Sequence, residues 1–531
     1  MIARTTIVAA WCVCTVAAAA DAQSARQLVI PFENATRDPQ AYWLSEGSAV
    51  MLTDDLRALG APVIAREDRL RAFQRLRVPP ATTLSHATVI RLGQIVGATD
   101  VVVGAYELDD DEIVVRARPI RLDTGRMAAE IVERGPLAEI FDVYARIARR
   151  LVPDSRVTPE ELEQGRPPIA ALEQYVKGLL AQTPDTKTMF LTQALRLYPT
   201  LHRAHIELWH IYTQDGEHQQ ALAAVREVDP DHRLHRQARF LSGVSLMHFG
   251  QYPQAFTTFS ELQAAMSDPA LLNNLGVVQL RRPAGSPGGS AVSYFSQATQ
   301  VDDADADLFF NLGYAHWLAG DVPSAVHWLR EAVRRNAADD GAHYVLGAAL
   351  EAAGSPAEAA REKELARRLS SEYAVWEAQR PGVTTVPRGL ERIKTDVDVP
   401  ASLRVERAID AAEQRDQQAT AAFYLETGKR AYEEQRDLDA IASLRRAVFL
   451  SPYEAEAHLY LGRAYLRSGR IDEAIDALKI SIWSEDAIDA HLVLAEAYFT
   501  RDEEAARSEL EWILKADPNN GEARRLLERL Q

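Results

Sequence analysis

The rhythm of apolar and polar positions changes near residue 153. Before that point short β-rich runs alternate with helical stretches; beyond it apolar residues recur mainly at helical spacing. Residues 27–32 (Gln-Leu-Val-Ile-Pro-Phe) are a strand-like run, closed by the turn-rich segment 34–39. Residues 41–59 carry Leu44, Val50, Leu52, Leu56 and Leu59 at roughly helical spacing, and Gly60 can end that helix. A second strand is expected over 61–65, then helices over 68–76 and 86–96, the latter stopped by Gly97. Three strands follow as a meander over 100–108, 112–122 and 126–134, with acidic Asp109–Asp111 and Asp123-Thr-Gly125 as turns. An amphipathic helix over 137–151 closes the unit. Helices able to cover one face of a mixed sheet predict an α+β domain over 26–153.

After a Pro- and Glu-containing linker, 154–168, the helical pattern repeats. It is cleanest over 305–369, where Leu312-Gly313 recurs as Leu346-Gly347, Gly320 as Gly354 and Ala325 as Ala359, each 34 residues on. Trp209, Gly243, Gly276, Gly313 and Gly347 occupy one repeat position, at spacings of 34, 33, 37 and 34. The long interval contains Pro283-Ala-Gly-Ser-Pro-Gly-Gly-Ser290, a loop between the two helices of one unit, where repeat proteins accept insertions. An earlier pair over 169–198 is about three residues short. Trp209 puts a large ring where a small residue is wanted, so loose packing is expected there. Residues 370–419 break the rhythm as a connector. Gly428, Gly462 and Ala495 then mark a second block over 420–531, with 524–530 as a terminal polar-faced helix. The repeat length, with a small residue in paired apolar helices, resembles the tetratricopeptide (TPR) unit. The resemblance implies an all-α TPR solenoid in two blocks, 169–369 and 420–531.

The N-terminal domain carries a second resemblance. Val29-Ile-Pro-Phe-Glu-Asn34, Leu44-Ser-Glu-Gly47, Pro62-Val-Ile-Ala-Arg66, Gly97-Ala-Thr-Asp-Val-Val-Val-Gly-Ala105 and Arg121-Leu-Asp-Thr-Gly125 follow in the order of the TolB-like N-terminal domain. In bacteria that domain often precedes TPR arrays. No propeller-like strand repeat follows here, so the role of TolB itself in the Tol–Pal system does not carry over.

Charge narrows the partners. The 531 residues have a formal net charge of −17, which repels nucleic acid and anionic membranes unless a basic patch intervenes, and none is evident. Cys12 and Cys14 are the only cysteines, and both fall in a segment with Arg4, an apolar run over 7–20 and Ala20-Asp21-Ala22. That pattern reads as a signal peptide over 1–22, implying export to the periplasm of a cysteine-free mature chain. Trp11 and Val13 precede the cysteines where lipoprotein processing wants a small residue.

Catalytic chemistry has little to rest on. Ser45 lacks the flanking glycines of a nucleophile elbow and reads as a helix cap. Gly97–Gly104 lacks phosphate-loop spacing, and Asp109–Asp111 reads as a solvated turn. Asn34-Ala-Thr36 matches a glycosylation sequon of little weight in a bacterial-looking chain. Seven histidines fall between His202 and His248, but His205 and His210 are five apart and face different ways, so surface or groove histidines are expected. No nucleophile, base and orienting group assemble, and no cofactor or metal is expected. TPR geometry implies groove positions around each small residue: His210, Phe240, Asn273, Phe310, Tyr314, Trp317 and Tyr344 are the candidates. Their aromatics can grip a peptide or pack against the next repeat or the linker. Chaperone-tail-binding TPR proteins clamp a carboxylate with Lys and Asn; here Phe310 and Tyr314 stand at the comparable pair, which argues against that mode. The groove can equally receive the chain's own connector. The expected function is a periplasmic, non-enzymatic scaffold for protein or peptide partners, with the TolB-like domain docking a second one. The alternatives are a structural accessory subunit of an envelope assembly and, least favoured, an enzyme.

Overall fold

The structure is a computed structural model that describes residues 26–36, 41–76, 78, 84–109, 111–265, 268–379, 386–397, 418–499 and 501–530. Residues 1–22, read above as a signal peptide, and both cysteines lie outside the described residues. The chain divides into two compact units. One contains residues 49–69 and 84–162 together with the first strand; the other contains 31–48, 70–83 and 163–531.

In the first unit, strand Gln27–Val29 lies parallel to Asp100–Asp109. Asp100–Asp109 pairs antiparallel with Glu112–Arg121, and that strand with Ile131–Pro136. Ile113, Val115 and Ala117 alternate inward along the central strand, as one covered face requires. Helix Ile140–Leu151 packs on the last two strands with Ile140, Val143, Tyr144, Ile147 and Ala148 buried. The strand expected over 61–65 is reduced to one bridge between Gln27 and Val63. The strand expected over 126–134 begins only at Ile131, because Met127 folds back to bridge Ile120. Asp109 pairs with Glu112, and Asp110 between them lies outside the described residues.

The second unit is built of helix pairs. Ile169–Leu180 packs with Pro184–Leu197, His202–Gln214 with His218–Arg226, and His235–His248 with Tyr252–Ala265. Pro269–Arg281 packs with Ala291–Val301, Ala306–Leu318 with Val322–Arg335, and Asp340–Ala352 with Pro356–Leu369. The later block runs from a helix over 418–433 through Asp437–Leu450, Ala455–Arg467, Ile471–Ser484, Ile488–Tyr498 and Glu503–Ala516 to Gly521–Glu528.

Backbone approach explains the period. A Cβ on Gly313 would lie 2.7 Å from Leu329, on Gly243 2.5 Å from Phe259, and on Gly462 2.5 Å from Leu478. In each case the second helix presents the residue sixteen positions on, so the glycine and its partner fix the register of the pair. Gly276 meets Phe295, nineteen on, because the 283–290 loop adds three residues. Gly178 meets Leu191, thirteen on, which accounts for the short first pair. Trp209 departs from the rule without loosening the unit. It is 1% exposed, and its indole N–H donates to Ser245 Oγ of the next repeat at 2.8 Å.

Histidines recur four residues before this position. His205, His343 and His458 each set Nε2 against a carbonyl six residues upstream, of Pro199 (3.3 Å), Ala337 (3.0 Å) and Pro452 (2.8 Å). His205, singled out as a surface or groove residue, is therefore a buried clasp at a helix start.

Two outcomes follow from these contacts. Gly462→Ala drives a methyl into Leu478 and is expected to cost about 1–3 kcal/mol, read as a lower melting temperature in calorimetry. Burial pushes the His458 imidazole down to about 4, from 6.5 when exposed. The unfolded chain thus takes up a proton that the folded one refuses, and stability falls as pH drops from 6.5 toward 4. His458→Gln is expected to flatten that part of the stability–pH curve in denaturant melts at successive pH values.

Candidate functional site: the face of the first helices

Three consecutive first helices, Pro269–Arg281, Ala306–Leu318 and Asp340–Ala352, are capped alike. Asp268, Asp305 and Asp339 accept from the backbone N–H of Ala270, Asp307 and Ala342 at 2.7, 3.0 and 2.8 Å. Each cap lies eight residues before the small-residue position of its helix (Gly276, Gly313, Gly347). Their equivalence in the repeat brings Asp305, Asp307 and Asp339 close enough to share ligands, together with the side chains one turn further along each helix.

A stretch of this chain's own connector lies across that face. Residues 386–397 have no regular secondary structure. Asn311, buried, reads both polar groups of one residue: its Oδ1 accepts from the Arg392 N–H and its Nδ2 donates to the Arg392 carbonyl, both at 2.8 Å. Asn274 does the same to Lys394, accepting from its N–H at 2.9 Å and donating to its carbonyl at 2.8 Å. A carboxamide offers a donor and an acceptor side by side, as the edge of a neighbouring strand does. Two such groups engage residues two apart, which in an extended chain present their polar groups on the same edge. Asn273 completes the set, donating to the Arg392 carbonyl at 2.9 Å and accepting from Asn311 Nδ2 at 2.7 Å.

Side chains add charge to this backbone grip. Arg392 forks onto both carboxylate oxygens of Asp339, with Nη1 2.6 Å from Oδ2, and Nη1 also reaches Asp307 Oδ1 at 2.5 Å. Its guanidinium lies 4.1 Å from the centre of the Phe310 ring, which stacks in turn on Tyr314. Lys394 Nζ sits between Asp305 (2.8 Å) and Asp307 (2.6 Å). Burial alone would raise the Asp307 carboxyl, but Lys394 and Arg392 hold it well below the usual carboxylate range. Burial would lower Lys394, and Asp307 and Asp305 reverse that, so its ammonium stays charged. Glu391, nearly fully buried, meets Arg281 Nε at 2.6 Å. Tyr314 donates its hydroxyl to the Pro387 carbonyl at 2.8 Å, and burial, with Glu391 nearby, pushes its phenol up. Ile393 and Val397 pack on the apolar cluster that contains Phe240 and Leu275; Val386 and Leu390 join the one that contains Tyr344.

The residues singled out by spacing are distributed as follows. Asn273, Phe310 and Tyr314 touch the connector directly. Tyr344 is buried under helix Tyr373–Gln379, its ring beside Tyr373 and Trp376 and its hydroxyl 3.1 Å from Glu377. Phe240 is fully buried against Phe259, Trp317 packs half-buried on the second cluster, and His210 lies edge-on to Trp209. Asn274, Asn311 and the three aspartates were not singled out. Their signal was present in the repeated Asn-Leu-Gly of 274–276 and 311–313 and in an aspartate eight residues before three successive glycines.

A separate cavity in the unit is lined by Lys177, Phe190, Lys479, Trp483 and His491 and holds no part of the connector contacts. Among the described residues no group of three or more His, Cys, Asp or Glu is placed to hold a metal, and no helix is long and apolar enough to cross a membrane.

The tetratricopeptide repeat family model matches residues 289–341 and 425–490, one stretch in each block. No curated protein matches the chain. Among solved structures, MamA from Desulfovibrio magneticus RS-1 is similar at 17% identity over 32% of this chain and 94% of its own, with a TM-score of 0.28. PilF of Pseudomonas aeruginosa is similar at 18% identity over 37% and 90%, with a TM-score of 0.31. YrrB, described as a TPR protein with an unusual peptide-binding site, is similar at 16% identity over 44% and 97%, with a TM-score of 0.20. The helix pairs within residues 289–341 and 425–490 thus match the tetratricopeptide repeat.

Proposed function

We propose that this protein is an exported, periplasmic, non-enzymatic scaffold whose repeats bind a protein partner along the face of the first helices. Repeats of this kind generally mediate protein–protein interaction. The observation that carries the reading is the paired asparagine grip on Arg392 and Lys394, which is machinery for holding an extended polypeptide. The sheet-containing N-terminal unit, read as TolB-like, supplies a second docking surface in this picture. Export rests on the pattern of residues 1–22.

A structural accessory role is the second reading, and the filled groove is what favours it. Replacing Phe310 and Tyr314 would not separate the two, because both rings are fully buried and their loss would destabilise either kind of protein. Asn274→Ala with Asn311→Ala removes the four hydrogen bonds to the connector backbone, and two to Asn273, and leaves the apolar packing in place. In a chain whose residues 386–397 are replaced by a Gly/Ser linker, so that the connector does not compete for the same bonds, their loss at roughly 0.5–1.5 kcal/mol each is expected to weaken partner binding more than about ten-fold. The check is quantitative co-purification from an envelope fraction, with melting temperature as control. A scaffold yields one stoichiometric partner with both asparagines intact and little with the variant. Recovery of no partner, or recovery unaffected by the variant, contradicts it.

A further inference from the structure

The inference rests on the scaffold reading and asks what the groove accepts. We propose that residues 386–397 are an internal placeholder for the partner. The groove takes an extended segment bearing an arginine, an apolar residue and a second cation in consecutive positions, and such a partner binds by displacing the connector.

Three observations lead there. The connector is held as a ligand would be held, because among the described residues no backbone–backbone hydrogen bond ties 386–397 to the repeats. Its main-chain contacts come from Asn273, Asn274, Asn311 and Tyr314 side chains, which would grip any extended chain in the same register. Specificity then falls to the pockets. Arg392 fits a planar slot between Phe310 and the Asp339 carboxylate that matches a guanidinium fork better than an ammonium. Lys394 fits a point-charge site between Asp305 and Asp307. Ile393, between them, packs on the apolar cluster. Arg281 facing Glu391 favours an acidic residue immediately before the arginine. The motif read by the groove is therefore acidic–Arg–apolar–Lys.

The third observation concerns charge. Without an occupant, Asp305, Asp307 and Asp339 would face the groove with no cation of the connector against them, and their mutual repulsion disfavours an empty state. A tethered segment that supplies two cations relieves it at high effective concentration. The same tether raises the threshold a partner must pass, so only a segment matching both cationic pockets competes.

The test uses fluorescence anisotropy with a labelled twelve-residue peptide of the connector sequence, VPRGLERIKTDV, added to the full chain. The wild-type chain is compared with Arg392→Ala/Lys394→Ala, whose tethered segment has lost its ion pairs. The variant is expected to bind the peptide at least about ten-fold tighter than wild type. A peptide with glutamate in place of its arginine at 392 and lysine at 394 is expected not to bind. Where circular dichroism shows the double variant unfolded, Lys394→Gln carries the same comparison. Equal affinity for wild type and variant overturns the placeholder while leaving the scaffold reading intact. Binding of the charge-reversed peptide overturns the proposed motif. No peptide binding by either chain overturns the inference and the peptide-binding scaffold reading together.

Discussion

An extended chain laid against folded helices loses water from its amides, and each lost partner must be replaced. Here that requirement is met by side chains. Asn274 and Asn311 act as fragments of strand edge, each satisfying the N–H and carbonyl of one connector residue. The groove's other contacts depend on this grip. Only with Arg392 and Lys394 in register do their side chains reach the aspartates that cap the neighbouring helices.

Those aspartates have two tasks, and the repeat geometry makes the tasks compatible. One Asp339 oxygen takes the first-turn amide of its helix while the pair of oxygens also receives the Arg392 fork. A helix N-terminus favours a carboxylate already, so the acidic character of the groove arises from two caps 34 residues apart, Asp305 and Asp339, with Asp307 in the first turn between them. Burying charges in this way is costly unless each is matched. The match between two cations and three carboxylates is therefore selective: it tolerates an occupant of the right charge pattern and disfavours others. The outcome is a groove whose polar and charged groups are satisfied within the chain itself.

Much of the repeat fold was legible because one steric fact recurs. A small residue is needed wherever paired helices touch, and Gly243, Gly276, Gly313 and Gly347, then Gly428 and Gly462 after the connector, announce those contacts at intervals of 33 to 37 residues. Even the irregular spacings carried physical information, since the three-residue excess after Gly276 reappears as its displaced partner, Phe295. Trp209 misled because a large residue can fill the same position when its polar edge finds a partner such as Ser245. The site was half legible. Counting from the glycines reached Asn273, Phe310 and Tyr314, which touch the connector, but passed over Asn274 and Asn311 one residue away. It also reached Phe240, which packs against Phe259 in the apolar cluster that Ile393 and Val397 cover. The stretch 386–397 has no regular secondary structure. Its hydrogen-bonding partners lie 53 to 120 residues earlier in the chain, so no local pattern joins Arg392 to Asn311 or Lys394 to Asn274. In the N-terminal unit, Met127 pairing back onto Ile120 displaced the last strand, a tertiary effect that alternation alone does not encode.

The central claim, that this chain's connector occupies its own groove through the asparagine grip, is tested most directly by amide hydrogen exchange at Arg392 and Lys394 in the isolated protein. The account predicts protection of both amides, lost at both when Asn274 and Asn311 are replaced by alanine while the helices stay protected. Exchange of Arg392 and Lys394 at the rate of an unstructured chain in the wild-type protein would contradict it.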